Sequence, residues 1–286
     1  MLKKNLVCLL FLIAVFLVCT SAVFAQCGCP KADITDYNGL YVIKIPYGRV
    51  HMVKPYITKF LRPNREIFNE TNAELVINAG YFDPKNKKTS SYVVIDGKTV
   101  LDPTTNDSLM NNLSLSPYLP DILDRTEFRV LDCNGKTKFD IARHTEPASP
   151  DAYHTLTPSC RIVHSIQAGP MLYPNLTLEK EYFVSYRDGK LDRDSISAMK
   201  KCARTAIGLR NNDIYIIIAT VSHRMTLPEM AEFCKKLGLE KAMNFDGGGS
   251  TSVNYKGTNN PKYKDWEIIS DKDASARKLK SFLVID

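Results

Sequence analysis

The sequence predicts an α+β fold, a single domain with a mostly antiparallel or mixed β-sheet core and few helices. Three observations carry this reading. Short β-branched and aromatic runs recur along the whole chain, Asp-Gly and Asn-Asn pairs punctuate them, and one segment has a complete helix signature. Strand and helix signals do not alternate strictly, which argues against a doubly wound parallel sheet.

Leu40 to Ile45 reads as the first strand, followed by Glu74 to Asn78 and Tyr92 to Ile95. Asp96-Gly97 closes the last of these as a tight hairpin, with Thr99 to Leu101 returning, because that pair tolerates the positive φ values such a turn needs. Further strands are predicted at Glu127 to Leu131, Arg161 to Gln167, Thr205 to Leu209 and Asp213 to Val221, with Asn211-Asn212 joining the last two. Ala242 to Phe245, Ser252 to Tyr255 and Ser281 to Ile285 complete the set. The helix begins at a capping box of Thr226 and Glu229, with Pro228 in the first turn, where its missing N–H costs little. Leu227, Met230, Ala231, Cys234 and Leu237 follow at helical spacing, and Gly238 ends the run. Residues 102–125 read as a long polar surface loop.

The start of the chain addresses its compartment. Lys3 and Lys4 precede an apolar run from Leu6 to Val18, and Val23-Phe24-Ala25 offers small residues for cleavage after Ala25. This is the layout of a secretory signal peptide, and it predicts a secreted, periplasmic or envelope-associated protein with no stable membrane insertion after cleavage. Cys27, Cys29, Cys133, Cys160, Cys202 and Cys234 remain, an even number that permits disulfides without choosing their pairing. With 44% hydrophobic and 24% charged residues, the 286-residue chain can bury a substantial core. The net charge of +7 is spread over scattered clusters, so the sequence does not indicate nucleic-acid binding, although an anionic substrate would be attracted. No HExxH, CxxC pair or HxH is present, and the reading assigns no metal ligands and no cofactor.

Four strand-end motifs bear on chemistry. Met243 to Thr251 runs a buried strand into Asp246, followed by Gly247, Gly248, Gly249 and Ser250. Glycines let backbone N–H groups turn toward one point and favour an anion, and without a following lysine this is no P-loop. In Val76 to Asp83, Asn78 interrupts an apolar run and Gly80 follows, so a buried amide must find partners in a ligand or a loop. Ile166 to Leu172 places Gln167 and Gly169 at another strand end, and Arg204 with Thr205 opens the strand through Gly208. An arginine there can hold a phosphate with paired hydrogen bonds or make an ordinary ion pair.

Together, Asn78 to Phe82, Gln167 to Leu172, Arg204 to Gly208 and Asn244 to Ser250 resemble, in that order, the motifs of the phosphodiester glycosidase family. The resemblance covers roughly residues 70–286 as a catalytic domain, leaving 1–25 as signal and 26–69 as N-terminal strands and extension. It implies hydrolysis of a sugar-1-phosphodiester, with the carbohydrate phosphodiester as the partner molecule. Such a bond needs one carboxylate rather than the usual glycosidase pair, because the departing phosphate is already a stable anion. On this reading Asp246 is the base or the carboxylate facing the oxocarbenium ion, and Arg204 with the N–H groups of Gly247, Gly248 and Gly249 holds the phosphate. Asn78, Gln167, Thr205 and Ser250 then orient the sugar, with Gly80 and Gly169 lining the site. His223 is a further proton donor to weigh. Two other readings stay open: a phosphodiesterase using a divalent cation on Asp246 and Asp83, and a non-catalytic protein that binds envelope glycans. Oligomeric state is not legible in the sequence.

Overall fold

Among the described residues, the β-rich runs assemble into three antiparallel sheets and one small hairpin. A computed structural model of the chain describes residues 32–50, 52–148, 160–256, 261–269 and 277–286. The signal segment 1–25, Cys27 and Cys29 lie outside the described residues. The six-stranded sheet has the order Asp33–Asp36, Leu40–Ile45, Asp213–Ala219, Arg204–Arg210, Lys241–Asn244, Met171–Tyr173. One five-stranded sheet has the order Asp265–Ile269, Ser252–Lys256, Leu75–Asn78, Leu279–Ile285, Val53–Arg62, and the other Lys98–Leu101, Val93–Ile95, Cys160–Gln167, Thr126–Cys133, Lys136–Arg143. Val184–Arg187 and Lys190–Asp194 form the hairpin.

The predicted turns have the required backbone. Asn211 and Asn212 have φ of 52° and 64° and join Arg204–Arg210 to Asp213–Ala219, while Asp96 and Gly97 have φ of 53° and 73°. The predicted helix spans Leu227–Lys236, and both bonds of its capping box form. Leu227, Met230 and Cys234 bury one face of the six-stranded sheet, against Ala206, Ile217 and Ala242. The other face packs Ile207, Ile216 and Met243 against Ile77 and Val253 of one five-stranded sheet and Phe128 and Ile166 of the other. Burial on both faces explains why Ile214 to Ala219 reads as a nearly continuous apolar run rather than an alternation.

The strands that the sequence reading passed over all lie at sheet edges, and Val53–Arg62 and Lys136–Arg143 are the longest of them. In Val53–Arg62, Lys54, Pro55, Lys59 and Arg62 obscure the apolar pattern, and an edge is where a strand tolerates proline. Lys136–Arg143 is similarly charge-rich. The strand Val53–Arg62 pairs with the C-terminal Leu279–Ile285, and the helix Asn64–Thr71 packs Ile67 and Phe68 on Val76 and Phe282. The described part of 26–69 is therefore woven into the same sheets as the rest. Residues 102–125 carry short helical turns, including Asp107–Met110 and Leu119–Leu123. Cys133 and Cys160 face each other across adjacent strands and form a disulfide, whereas Cys202 and Cys234 are free thiols.

This topology gathers the motifs. Asn78, Gln167 and Asn244 each end a strand, and Arg204 begins one. Because Arg204–Arg210 runs antiparallel to Lys241–Asn244, with Ala206 opposite Asn244, its first residue lies at the edge where the partner strand leaves toward Asp246.

Candidate active site

Asn78 is the tie among the motifs. Its side-chain N–H donates to the Asp246 carbonyl at 2.5 Å, while its oxygen accepts from Thr205 Oγ1 at 2.8 Å and from Ser252 N at 3.0 Å. The Asp246 N–H donates to the Ala79 carbonyl and the Phe245 N–H to the Thr205 carbonyl, both at 2.8 Å. Three sequence-distant segments are thus pinned to one another beside Asp246.

The Asp246 carboxylate is partly exposed yet closely surrounded. Burial raises its pKa to about 6, opposed by the Ser250 side chain, Arg277 and the Gly247 N–H, which favour the ionised form. Ser250 Oγ is close enough to influence the carboxylate but makes no hydrogen bond of normal length with any described group. Thr251 Oγ1 and Asn244 Oδ1 are also buried without partners. Buried polar atoms are rarely left unpaired, so these three leave unmet hydrogen-bonding capacity near Asp246. The Asn244 amide N–H donates to the Tyr81 hydroxyl at 2.9 Å, and that hydroxyl donates to the Gly169 carbonyl at 2.9 Å. Burial, with Asp246 as the next cause, pushes the Tyr81 phenol well above its ordinary value.

Arg204 is placed beside this site but does not present a fork to a phosphate. Its Nε donates to the Met225 carbonyl at 3.0 Å, and its terminal nitrogens donate to the carbonyls of Ile196, Ser197 and Lys200 at 3.3, 2.5 and 2.8 Å. A guanidinium has five N–H donors, so most are engaged by backbone. At 2% exposure, Arg204 braces the 196–200 loop. These bonds leave it little capacity for the phosphate contact expected of it.

Arg277 takes the open position. It lies over the Phe82 ring at 5.6 Å, and a Cβ built on Gly249 would stand 3.5 Å from its terminal nitrogen. Among the described residues it makes no hydrogen bond or ion pair, and it is the arginine whose charge acts on Asp246. Nothing in the local sequence singled it out. It precedes the last strand as an ordinary basic pair with Lys278, and only the sheet topology brings it to Gly249.

The other expected residues divide in the same way. Gln167 is fully buried, with its amide donating to the carbonyls of Leu123 and Arg125 at 2.7 and 3.1 Å and accepting from Tyr92 N, so it joins segments instead of facing a sugar. Thr205 is held by Asn78, and Gly80 N–H donates to Ser281 Oγ at 3.2 Å. Gly248 N–H donates to the Ala203 carbonyl at 2.8 Å, which removes it from the expected anion cradle. Its glycine is required by φ of +60°, whereas the space around it is open. Gly247 N–H favours the Asp246 carboxylate, leaving Gly249 beside Arg277. Asp83 shapes a turn through Lys85 N, and His223 contacts the Asn38 carbonyl at an exposed turn.

Glu181, the other buried carboxylate in this neighbourhood, accepts from Thr126 N, Thr126 Oγ1, Met171 N and Thr177 Oγ1. That leaves it little capacity for chemistry. Among the described residues no group of three or more His, Cys, Asp or Glu is clustered to hold a metal ion. An open cleft of about 630 Å³, lined by residues including Met171, Leu176, Met199 and Pro228, contains none of the Asp246 group. Size alone does not make a reaction centre, and the perturbed carboxylate with a cation beside it makes the Asp246 patch the candidate instead.

The fold has solved counterparts. The catalytic domain of zebrafish N-acetylglucosamine-1-phosphodiester alpha-N-acetylglucosaminidase, auto-inhibited by its pro-peptide, superposes with a TM-score of 0.58 at 15% identity, covering 91% of this chain and 85% of that one. A Burkholderia pseudomallei protein described as exported gives 0.58 at 14% identity, covering 86% and 73%. A hypothetical Synechocystis protein gives 0.55 at 13% identity, with 89% of this chain covering 61% of that longer one. No curated protein matches the chain in a sequence comparison. The sequence profile of the phosphodiester glycosidase family matches residues 71–285, so the chain belongs to that family.

Proposed function

We propose that the protein is an exported hydrolase that cleaves a sugar-1-phosphodiester. The observation that carries this reading is Asp246, a carboxylate with its pKa raised to about 6 beside an arginine whose donors are open. At neutral pH such a group is ionised yet basic enough to take a proton, which suits a general base. Water attacks the anomeric carbon and passes a proton to Asp246, while the bond from that carbon to the phosphate oxygen breaks and its electron pair leaves with the phosphate. Arg277 meets the phosphate charge, and the buried, unpaired atoms of Ser250, Thr251 and Asn244 supply hydrogen-bonding capacity for sugar hydroxyls or an acetamido group. Asn78, Thr205, Gln167 and Arg204 keep the segments in register around that centre. The signal-like start, the Cys133–Cys160 disulfide and the exported relative support a secreted or envelope location.

The test is incubation with a panel of sugar-1-phosphodiesters, reading free reducing sugar with and without chelator. Release unaffected by chelator is the expected result. Release abolished by chelator favours the cation-dependent phosphodiesterase, and tight glycan binding without release favours a non-catalytic protein.

A further inference from the structure

Arg125 poses a problem that the Asp246 centre does not solve. It is 7% exposed, and its Nε donates to the Glu181 carbonyl at 3.1 Å. Its guanidinium lies 3.8 Å over the Phe183 ring, but its two terminal nitrogens make no hydrogen bond or ion pair among the described residues. The nearby Glu181 carboxylate is engaged elsewhere by Thr126, Thr177 and Met171. Burial holds the Arg125 pKa down, to about 10, even with the negative charge of Glu181 nearby, so the buried guanidinium is only partly compensated. An anion delivered by a ligand would complete that compensation.

The surroundings indicate where the ligand runs. Phe183 packs on Tyr81, with ring centroids 5.8 Å apart, so Arg125 adjoins the Tyr81–Asn244 side of the site. The preceding residue, Tyr182, faces outward. Arg193 donates to its carbonyl at 3.3 Å and lies 4.8 Å over its ring, and Tyr118 stacks on it at 3.7 Å with planes 11° apart. Arg193 has no carboxylate partner among the described residues, and Tyr118 is 39% exposed. Two open guanidinium groups and a stacked tyrosine pair therefore continue outward from Tyr81 along the Glu181–Phe183 segment.

We propose that Arg125 and Arg193, with the Tyr118–Tyr182 pair as a platform for a sugar ring, form a second subsite that binds a phosphate one glycosyl unit beyond the scissile bond. The substrate is then a glycan with repeating phosphodiesters, not a single sugar capping one phosphate. This deepens the hydrolase reading and rests on it.

The test uses two synthetic substrates that differ only in a second phosphate one glycosyl unit beyond the cleaved bond, and kcat/KM is measured for each with the full chain. The wild type is expected to prefer the doubly phosphorylated substrate by about tenfold or more, the size of a charge-assisted contact. The preference should fall toward unity in Arg125→Met and partly in Arg193→Gln. No preference in the wild type, or a preference that survives both substitutions, overturns the subsite. Arg125→Met also loses the Glu181 contact, so thermal melting checks its folding, and if it does not fold the partly exposed Arg193→Gln decides. If the wild type cleaves neither substrate, the hydrolase reading falls, and inorganic pyrophosphate then tests the subsite alone. A saturable rise in melting temperature that is reduced in Arg193→Gln supports it. No rise, or one unchanged in the variant, refutes it.

Discussion

Arg204 and Arg277 pack on glycines two residues apart, Gly247 and Gly249, yet they stand in opposite states. Arg204 lies in the motif that resembles the family pattern, and four backbone carbonyls occupy its donors. Arg277 lies in an unremarked basic pair and keeps its donors open among the described residues. The same contrast separates Asn78, Thr205 and Gln167, whose hydrogen bonds are satisfied within the protein, from Asp246, Ser250, Thr251 and Asn244, where bonding capacity remains. Motif membership thus marks both the scaffold of a site and its chemistry. Hydrogen-bond accounting tells them apart.

Substitutions can break this contrast. The largest effect is expected from Asp246→Asn, which should lower turnover by about 10²–10⁴-fold, the range of a lost general base. The same change should stabilise the fold at pH 8. Because burial raises the Asp246 pKa from 3.8 to about 6, the fold favours its protonated form, and that contribution is full at low pH and lost as pH rises through about 6. The neutral amide escapes the loss, so a gain of roughly 1–3 kcal/mol is expected in denaturant unfolding, after allowance for the group's partial exposure. A variant that is inactive because it is unfolded would not support the assignment.

Arg204→Met should act on stability, costing about 3–5 kcal/mol by leaving buried carbonyls without donors, measured in the same unfolding experiment. Arg277→Met should do the reverse, lowering kcat/KM by about 10²-fold with a melting temperature close to that of the wild type. If Arg204→Met stays stable and loses only activity, the roles assigned to the two arginines are exchanged. Smallest is Gly248→Ala, expected to cost about 1–2 kcal/mol because a side chain is strained at φ of +60° even where space is open.

Much of the framework was legible in the sequence because local chemistry determined it. The Asp96-Gly97 and Asn211-Asn212 turns, the Thr226–Glu229 capping box and the apolar run from Ile214 to Ala219 each carry their own physical cause. The edge strands Val53–Arg62 and Lys136–Arg143 were not legible, since one strand neighbour and a solvent-facing side leave little apolar pattern to read. Within the site, Asp246 and Ser250 could be picked from the glycine-rich strand end. Arg277 and Arg125 could not, because what distinguishes them is terminal N–H donors left without a hydrogen bond among the described residues, and a sequence does not display that. The bracing bonds of Arg204 were hidden for the same reason: its carbonyl partners at Ile196, Ser197, Lys200 and Met225 are created by loop packing.

On our reading, one titrating carboxylate and one guanidinium share a reaction centre. This sharing is tested most directly by the pH dependence of kcat/KM on a sugar-1-phosphodiester, in the wild type and in Arg277→Met. The wild-type rate should rise through an acid limb near pH 6 as Asp246 ionises, and the limb should move to higher pH in the variant, where the neighbouring positive charge no longer favours the carboxylate. A wild-type profile flat from pH 5 to 7 (about a unit either side of that value), or a limb unmoved by the loss of Arg277, would contradict it.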